Sequence, residues 1–340
     1  MTAPEFQFHH ISRTGTSTRL KNLKEALDAR DKNGYVWMDL QQPDKDLLMS
    51  LIEPLDLHPL SIEDCLDEQQ IPKIDDYPGH SFLIFNTFSY SNSKLNVSEL
   101  DIFIGDRYLI TVRRNNGSNQ EFFQEIERYF VRGNESIQQG PAFLLHFILD
   151  QVVDRKFMVI EALEDGLNTA EEAILADLPN FNPASLLHLR QDLLSVRKSL
   201  FHEREILVKI CRQDCPFVPR KAIFFYRDIY DHLSKFFELS ESSRDLVTSL
   251  MEMYLSMLNN QMAKAANNTN ATVRRLTFIT TIFMPLSLLA GIGGMSEWSM
   301  MTGPENWKVS YPMFLLAMLV LGTANYFLLR WWEKKHSDRN

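Results

Sequence analysis

Between Ser249 and Gly291, residues taken alternately three and four apart are nearly all small or polar. They are Ser249, Glu252, Ser256, Asn259, Ala263, Ala266, Asn270, Val273, Thr277, Thr280, Met284, Ser287 and Gly291. A strict 3.5-residue spacing places them on one seam of a supercoiled helix bundle. An oxygen-lined path of this kind suits hard cations that stay hydrated, such as Mg²⁺, which sheds its water reluctantly. The seam continues into Leu276–Ser296, a run of 21 residues without a charge. Such a run is long enough to cross a hydrocarbon core of ~30 Å. Hydrocarbon does not favour a hydroxyl stripe, so the stripe must face partner helices or a water-filled path. Close helix packing through small residues would use Ser, Thr and Gly as readily. Asn270 and Glu252 favour the pore, because a packing seam seldom carries an amide and an acid on one line.

The element that positions this seam is one long helix. No Pro or Gly occurs among the 63 residues from Lys221 to Phe283. At ~1.5 Å per residue they would form a rod of roughly 95 Å. The first uncharged segment predicts one membrane span, and Val309–Leu329, also uncharged, predicts a second. Arg274 and Arg275 precede the first span; Arg330, Lys334, Lys335 and Arg339 follow the second; Glu297 and Glu305 lie in the connecting loop. The positive-inside rule therefore places both termini in the cytoplasm and the loop outside, in a cell (inner) membrane. Trp331 and Trp332 fall at the inner interface, Trp298 and Trp307 near the outer one.

The chain of 340 residues is 45% hydrophobic and 23% charged, with a net charge of −9. This composition describes a soluble domain with a small membrane part. The acidic balance argues against nucleic acid and suits cations as partners, although a solvated acidic surface gives the same balance. Three cysteines are too few for a disulfide framework and fit a reducing compartment. The first residues carry neither a secretory signal nor a transit peptide.

In order, residues 1–34 read as a polar, frayed entry with a short helix near Leu20–Ala29, His9 and His10 belonging to the tail. Strands are expected at Tyr35–Leu40, Ser81–Tyr90, Asn96–Ile104 and Arg107–Arg113, with Gly105-Asp106 as a tight turn between the last two. Short helices are expected at Asp44–Leu57 and Pro59–Asp67. Long ones follow from Pro141 to about Leu178 and from Ala184 to Cys211, punctuated by prolines. Strands first and long helices afterwards predict an α+β domain feeding a helical stalk. The expected division is 1–219 for the cytoplasmic domain, 220–275 for the stalk and 276–296 for the first span. A loop at 297–308, a second span at 309–332 and a basic tail at 333–340 complete it.

Two spans cannot enclose a pore alone, so conduction requires a homo-oligomer with the first span repeated about an axis. Met284 and Leu276 would then form constricting rings, although core packing accounts equally for a single Met or Leu. Gly291–Trp298 sits at the outer mouth, where glycines let carbonyls point inward or simply end a helix. Acids such as Glu297 in a ring there would concentrate cations. Cys211 and Cys215 lack the further ligands a zinc site needs. Glu161, Glu164, Asp165, Glu171 and Glu172 read as a solvated helix face. The stalk acids Asp245 and Glu252 are candidates for a cytoplasmic regulatory metal site built on oxygen ligands. No phosphate loop, nucleophile elbow or catalytic pair occurs, so no enzyme is expected.

Thr269–Ser296 (TNATVRRLTFITTIFMPLSLLAGIGGMS) resembles the first transmembrane helix and signature of the CorA family of divalent-cation channels. His58–Tyr77, Leu100–Arg114 and Leu145–Leu163 are also similar to that family, and the likeness runs from about Tyr35 to His336. The resemblance implies a funnel-shaped homopentamer with an α/β cytoplasmic domain, and Mg²⁺ influx gated by Mg²⁺ bound between those domains. It implies pore positions at Asn270, Val273, Leu276, Thr280, Met284, Ser287 and Gly291; Thr277 joins them from the stripe. The entrance would lie at Gly293, Gly294, Met295, Ser296 and Glu297. Here the chain departs from the family, whose Tyr-Gly-Met-Asn becomes Gly293-Gly294-Met295-Ser296. The entrance asparagine is thus Ser296, a shorter group that holds a hydrated ion less firmly. The stalk is also about seven residues longer, one heptad, which keeps the seam in phase. Mg²⁺ is the expected ion, with Co²⁺ or Zn²⁺ as alternatives. Competing readings are a zinc transporter of the ZntB-like branch, proton-coupled or not, and a non-conducting membrane sensor or scaffold.

Overall fold

The computed structural model describes residues 6–13, 16–67, 70–114, 126, 137–294, 303 and 305–337. Two compact units divide the chain, Met1–Tyr254 and Leu255–Asn340.

The first unit is built on a seven-stranded mixed sheet. Its strands are β1 (Phe6–Ser12), β2 (Ser17–Leu20), β3 (Gly34–Gln41), β4 (Lys73–Asp76), β5 (Ser81–Ser91), β6 (Lys94–Ile104) and β7 (Tyr108–Arg113), in the order β2-β1-β3-β7-β6-β5-β4. The interior strand β3 reads GYVWMDLQ and is buried along almost its whole length. A strand covered on both faces needs such a continuous apolar run. It lies antiparallel to β1 and parallel to β7, so the chain between β3 and β7 forms a crossover. One sheet face carries the core of Met38, Leu40, Phe82, Ile84, Phe103 and Ile110. That core is closed by α1 (Leu23–Arg30), α2 (Lys45–Ser50), α3 (Ile52–Leu55) and α4 (Pro59–Leu66).

On the other side α5 (Pro141–Ala176) runs across β3, β5, β6 and β7, and α6 (Ala184–Cys211) packs beside it. Helix α7 (Ile223–Gly293) begins within this layer, with Ile223, Tyr226, Ile229, Leu233, Phe236, Val247 and Leu250 buried at three- and four-residue intervals. The long helices thus begin and end close to where proline punctuation placed them. The solvated face at Glu161, Asp165 and Glu172 is exposed, with Glu164 and Glu171 half-buried.

The N-terminus differs from expectation. Phe6–Ser12 and Ser17–Leu20 are not a frayed tail but paired antiparallel strands at one edge of the sheet. His9 is 1% exposed and stacks on Trp37 with ring centroids 5.5 Å apart. The paired histidines made FQFHHIS look polar, yet in an aromatic stack an imidazole buries as a flat ring. The turn between β5 and β6 is a second departure. Asn92 and Ser93 take left-handed φ values of 53° and 57°, the geometry of a tight hairpin turn, without the usual glycine. Gly105, in the expected turn, is required for space: a Cβ there would sit 2.4 Å from the Tyr108 ring.

The second unit contains the remainder of α7 and α8 (Trp307–Ser337). Both helices are long and apolar enough to cross a membrane. Pro285 lies inside α7 and Pro312 inside α8. Spanning helices tolerate proline because neighbouring helices and hydroxyls satisfy the freed backbone groups.

Candidate functional site

Helix α7 presents two opposed faces within the second unit. Phe278, Ile282, Pro285, Leu286, Leu289 and Gly293 are half-buried in the single chain. Two close approaches show what covers them. A Cβ on Gly293 would meet the Phe314 ring at 2.7 Å, and one on Gly322 would meet the Leu286 side chain at 3.4 Å. Phe314, Met318, Gly322, Asn325 and Leu329 form the matching half-buried face of α8. The two spans therefore pack as a hairpin along these lines, with glycines where the helices come closest.

The stripe lies on the other side. At about 100° per residue, positions 277, 280, 284, 287 and 291 centre diametrically opposite 278, 282, 285, 286, 289 and 293. Every stripe residue from Ser249 to Gly291 is exposed in the single chain. The second span thus covers the apolar side of α7 and leaves the hydroxyl side open. Among the described residues nothing in the same chain covers that side. A polar face opposite the lipid-like packing face has to be covered by further copies or by water.

The hydroxyls on this face have a defined polarity. Thr277 Oγ1 donates to the Val273 carbonyl at 2.9 Å, and Thr280 Oγ1 donates to the Leu276 carbonyl at 2.9 Å. Higher on the same seam, Ser249 Oγ donates to the Asp245 carbonyl at 3.1 Å. Each of these three hydroxyls has committed its proton to its own helix, so what it turns outward is lone pairs. A hydrated cation presents the opposite pattern, because metal-bound waters point their hydrogens away from the ion. Outward acceptors on an uncharged face match that shell without stripping it.

Asn270, Val273 and Leu276 are exposed on α7, as are Met284, Ser287 and Gly291. Gly293 belongs to the packing face and Gly294 closes the helix by donating its N–H to the Ala290 carbonyl at 3.0 Å. Met295, Ser296 and Glu297 lie outside the described residues. Asp245 and Glu252 are both exposed, and Asp245 accepts from Arg244 Nη2 at 2.7 Å. Among the described residues no cluster of three or more His, Cys, Asp or Glu is arranged to hold a metal ion. Cys215 is buried and lies 3.5 Å from Ser81 Oγ; burial pushes its thiol up, which suits a structural role.

An α/β domain whose last helix continues into a two-span hairpin, with outward acceptors on the hairpin's open face, defines a membrane transporter for cations. Residues 32–334 match the family described as CorA-like Mg2+ transporter protein, and the chain belongs to that family of divalent-cation transporters. It is 30% identical over 320 residues to a putative metal ion transporter, YfjQ, of Bacillus subtilis, covering 92% of this chain and 94% of that one. It is 28% identical to the cobalt/magnesium transport protein CorA of Thermotoga maritima, covering 92% and 87%. The complete CorA magnesium transporter of Methanocaldococcus jannaschii shares the fold, with a TM-score of 0.73 at 22% identity over 97% of this chain and 98% of that one. The ZntB cytoplasmic domain of Vibrio parahaemolyticus matches 75% of this chain and 99% of its own, with a TM-score of 0.59 at 13% identity. Family members are transporters, not enzymes, in keeping with the lack of any catalytic motif in the sequence.

Proposed function

We propose that this chain is one subunit of a homo-oligomeric channel, most simply a pentamer, that admits hydrated Mg²⁺ into the cell. In this reading Asn270, Val273, Leu276, Thr277, Thr280, Met284, Ser287 and Gly291 line the pore around the axis. Gly294, Met295, Ser296 and Glu297 form its outer entrance, beside which Gly293 packs against α8. Residues 1–219 form a cytoplasmic domain, 220–275 the stalk, and 276–296 and 309–332 the two spans. Both termini lie on the cytoplasmic side of the inner membrane. Asp245 and Glu252 remain the stalk candidates for regulatory cation binding. The observation that carries this reading is the opposition of the two faces of α7, apolar against α8 and acceptor-lined on the open side. An acceptor-lined path without thiol or imidazole favours a hard, hydrated ion over zinc, which prefers nitrogen and sulfur ligands.

One competing reading is a zinc transporter of the ZntB-like branch, proton-coupled or not, with whose cytoplasmic domain this chain shares its fold. Uptake into proteoliposomes of the purified chain separates the two. Mg²⁺ and Zn²⁺ are supplied in turn, each with and without an imposed pH gradient. The expected result is Mg²⁺ uptake that proceeds without a gradient. Zn²⁺ uptake that requires the gradient overturns the magnesium reading, and uptake of neither ion overturns both.

A further inference from the structure

On β6, Asp101 points into the apolar core beneath α4. It is 1% exposed, paired across the sheet with Ile84 on β5 and Val112 on β7. Among the described residues no nitrogen or hydroxyl donor reaches either carboxyl oxygen. The polar group beside it is the thiol of Cys65, itself buried in the last turn of α4. The other charged groups facing it are Asp64 from α4, Glu99 from β6 and Arg114 from the segment after β7. Arg114 spends one of its Nη2 protons on the carbonyl of Cys65, at the negative end of α4. Cys65, Glu99, Val112 and Arg114, which surround Asp101, line a cavity of 990 Å³ that Asp101 itself does not reach.

A carboxyl in such a place has two states with different demands. Protonated, it is a neutral group tolerated by an apolar core. Ionised, it leaves a buried charge that must find a counter-charge. We propose that Asp101, Cys65 and Arg114 form a proton-operated latch on the C-terminal end of α4. With Asp101 protonated, Arg114 holds the Cys65 carbonyl and clamps the helix end. When the proton leaves to bulk solvent, the guanidinium is drawn to the carboxylate and the helix end is released. Burial is the main cause pushing Asp101 up to about 7, with the Cys65 thiol and Arg114 opposing it and Glu99 and Asp64 reinforcing it. The folded state then holds a proton that the unfolded chain gives up near pH 4, so this group stabilises the fold at low pH. That contribution is lost as pH rises towards 7.

Amide hydrogen exchange in the intact, detergent-solubilised chain tests the latch without reference to transport. The reporter is the backbone N–H of Asp67, which donates to the Glu63 carbonyl at 3.0 Å as the last bond of α4. After correction for the intrinsic rate, its protection is expected to fall about tenfold between pH 6 and pH 8 in the wild type. In Asp101→Asn it should stay constant. Should that variant fail to fold, Arg114→Gln serves instead, with low protection expected at both pH values. Unchanged wild-type protection, or the same pH response in a folded variant, overturns the proposal.

Discussion

Replacing Glu203 with leucine is expected to destabilise the first unit by about 3–5 kcal/mol. Glu203 on α6 and Lys156 on α5 are both 0% exposed, and Lys156 Nζ donates to both carboxylate oxygens. Glu203 Oε1 also accepts from the backbone N–H of Asn86 at 3.0 Å and from Ser199 Oγ at 3.1 Å. The ammonium sits over the rings of Phe85 and Phe88, 5.4 and 4.5 Å from their centroids. One acid therefore ties α5, α6 and β5 together. Burial pulls the Lys156 pKa down, and Glu203 is what opposes that pull. Without it, an ammonium is left in an apolar layer with no anion. The double variant Lys156→Met with Glu203→Leu removes both charges and should recover most of the loss, since a buried pair contributes little net stability over apolar groups of similar size. Denaturant titration of the full chain, followed by tryptophan fluorescence, provides the check. A single variant within about 1 kcal/mol of wild type would mean that the pair is solvated, contrary to its burial.

The largest effect on transport is expected at Thr280. Thr280→Leu keeps the helix but replaces an outward acceptor with a branched alkyl group, once per subunit around the axis. Flux should fall at least about tenfold, equivalent to a barrier raised by ~1.4 kcal/mol or more. Ile282→Leu, on the face packed towards α8, conserves volume and should leave flux within about twofold. Similar losses in both variants would mean that the effect is one of packing, and the stripe would lose its special role.

The chain's long-range plan was legible because its signals are periodic and uninterrupted. The absence of Pro and Gly from Lys221 to Phe283 foretold α7, and the two uncharged runs foretold the hairpin. The polar seam was visible as a 3.5-residue repeat. Its orientation was not, because a repeat says which residues share a face but not what lies opposite. That came from Gly293 against Phe314 and from Gly322 against Leu286, contacts between segments whose pairing no local pattern specifies. Nor could the sequence show that Thr277 and Thr280 turn their protons inwards, which depends on side-chain rotamers. In the first unit, β3 announced itself by composition, whereas β1 hid behind two histidines and β4 was too short to signal. The Lys156–Glu203 pair was invisible for a similar reason: its partners are 47 positions apart on helices that otherwise look amphipathic.

Water and ions are expected to touch the hydroxyl face of α7 and not the face against α8. Cysteine scanning on a background with Cys65, Cys211 and Cys215 replaced by alanine tests it directly. Thr277, Thr280 and Ser287 are changed singly to cysteine on one face, Ile282 and Leu289 on the other. A small cationic thiol reagent is applied to the reconstituted protein. Rapid modification of the first three that slows when Mg²⁺ is added, with the last two inert, is the predicted result. Modification of Ile282→Cys and Leu289→Cys while the stripe stays inert would contradict the account.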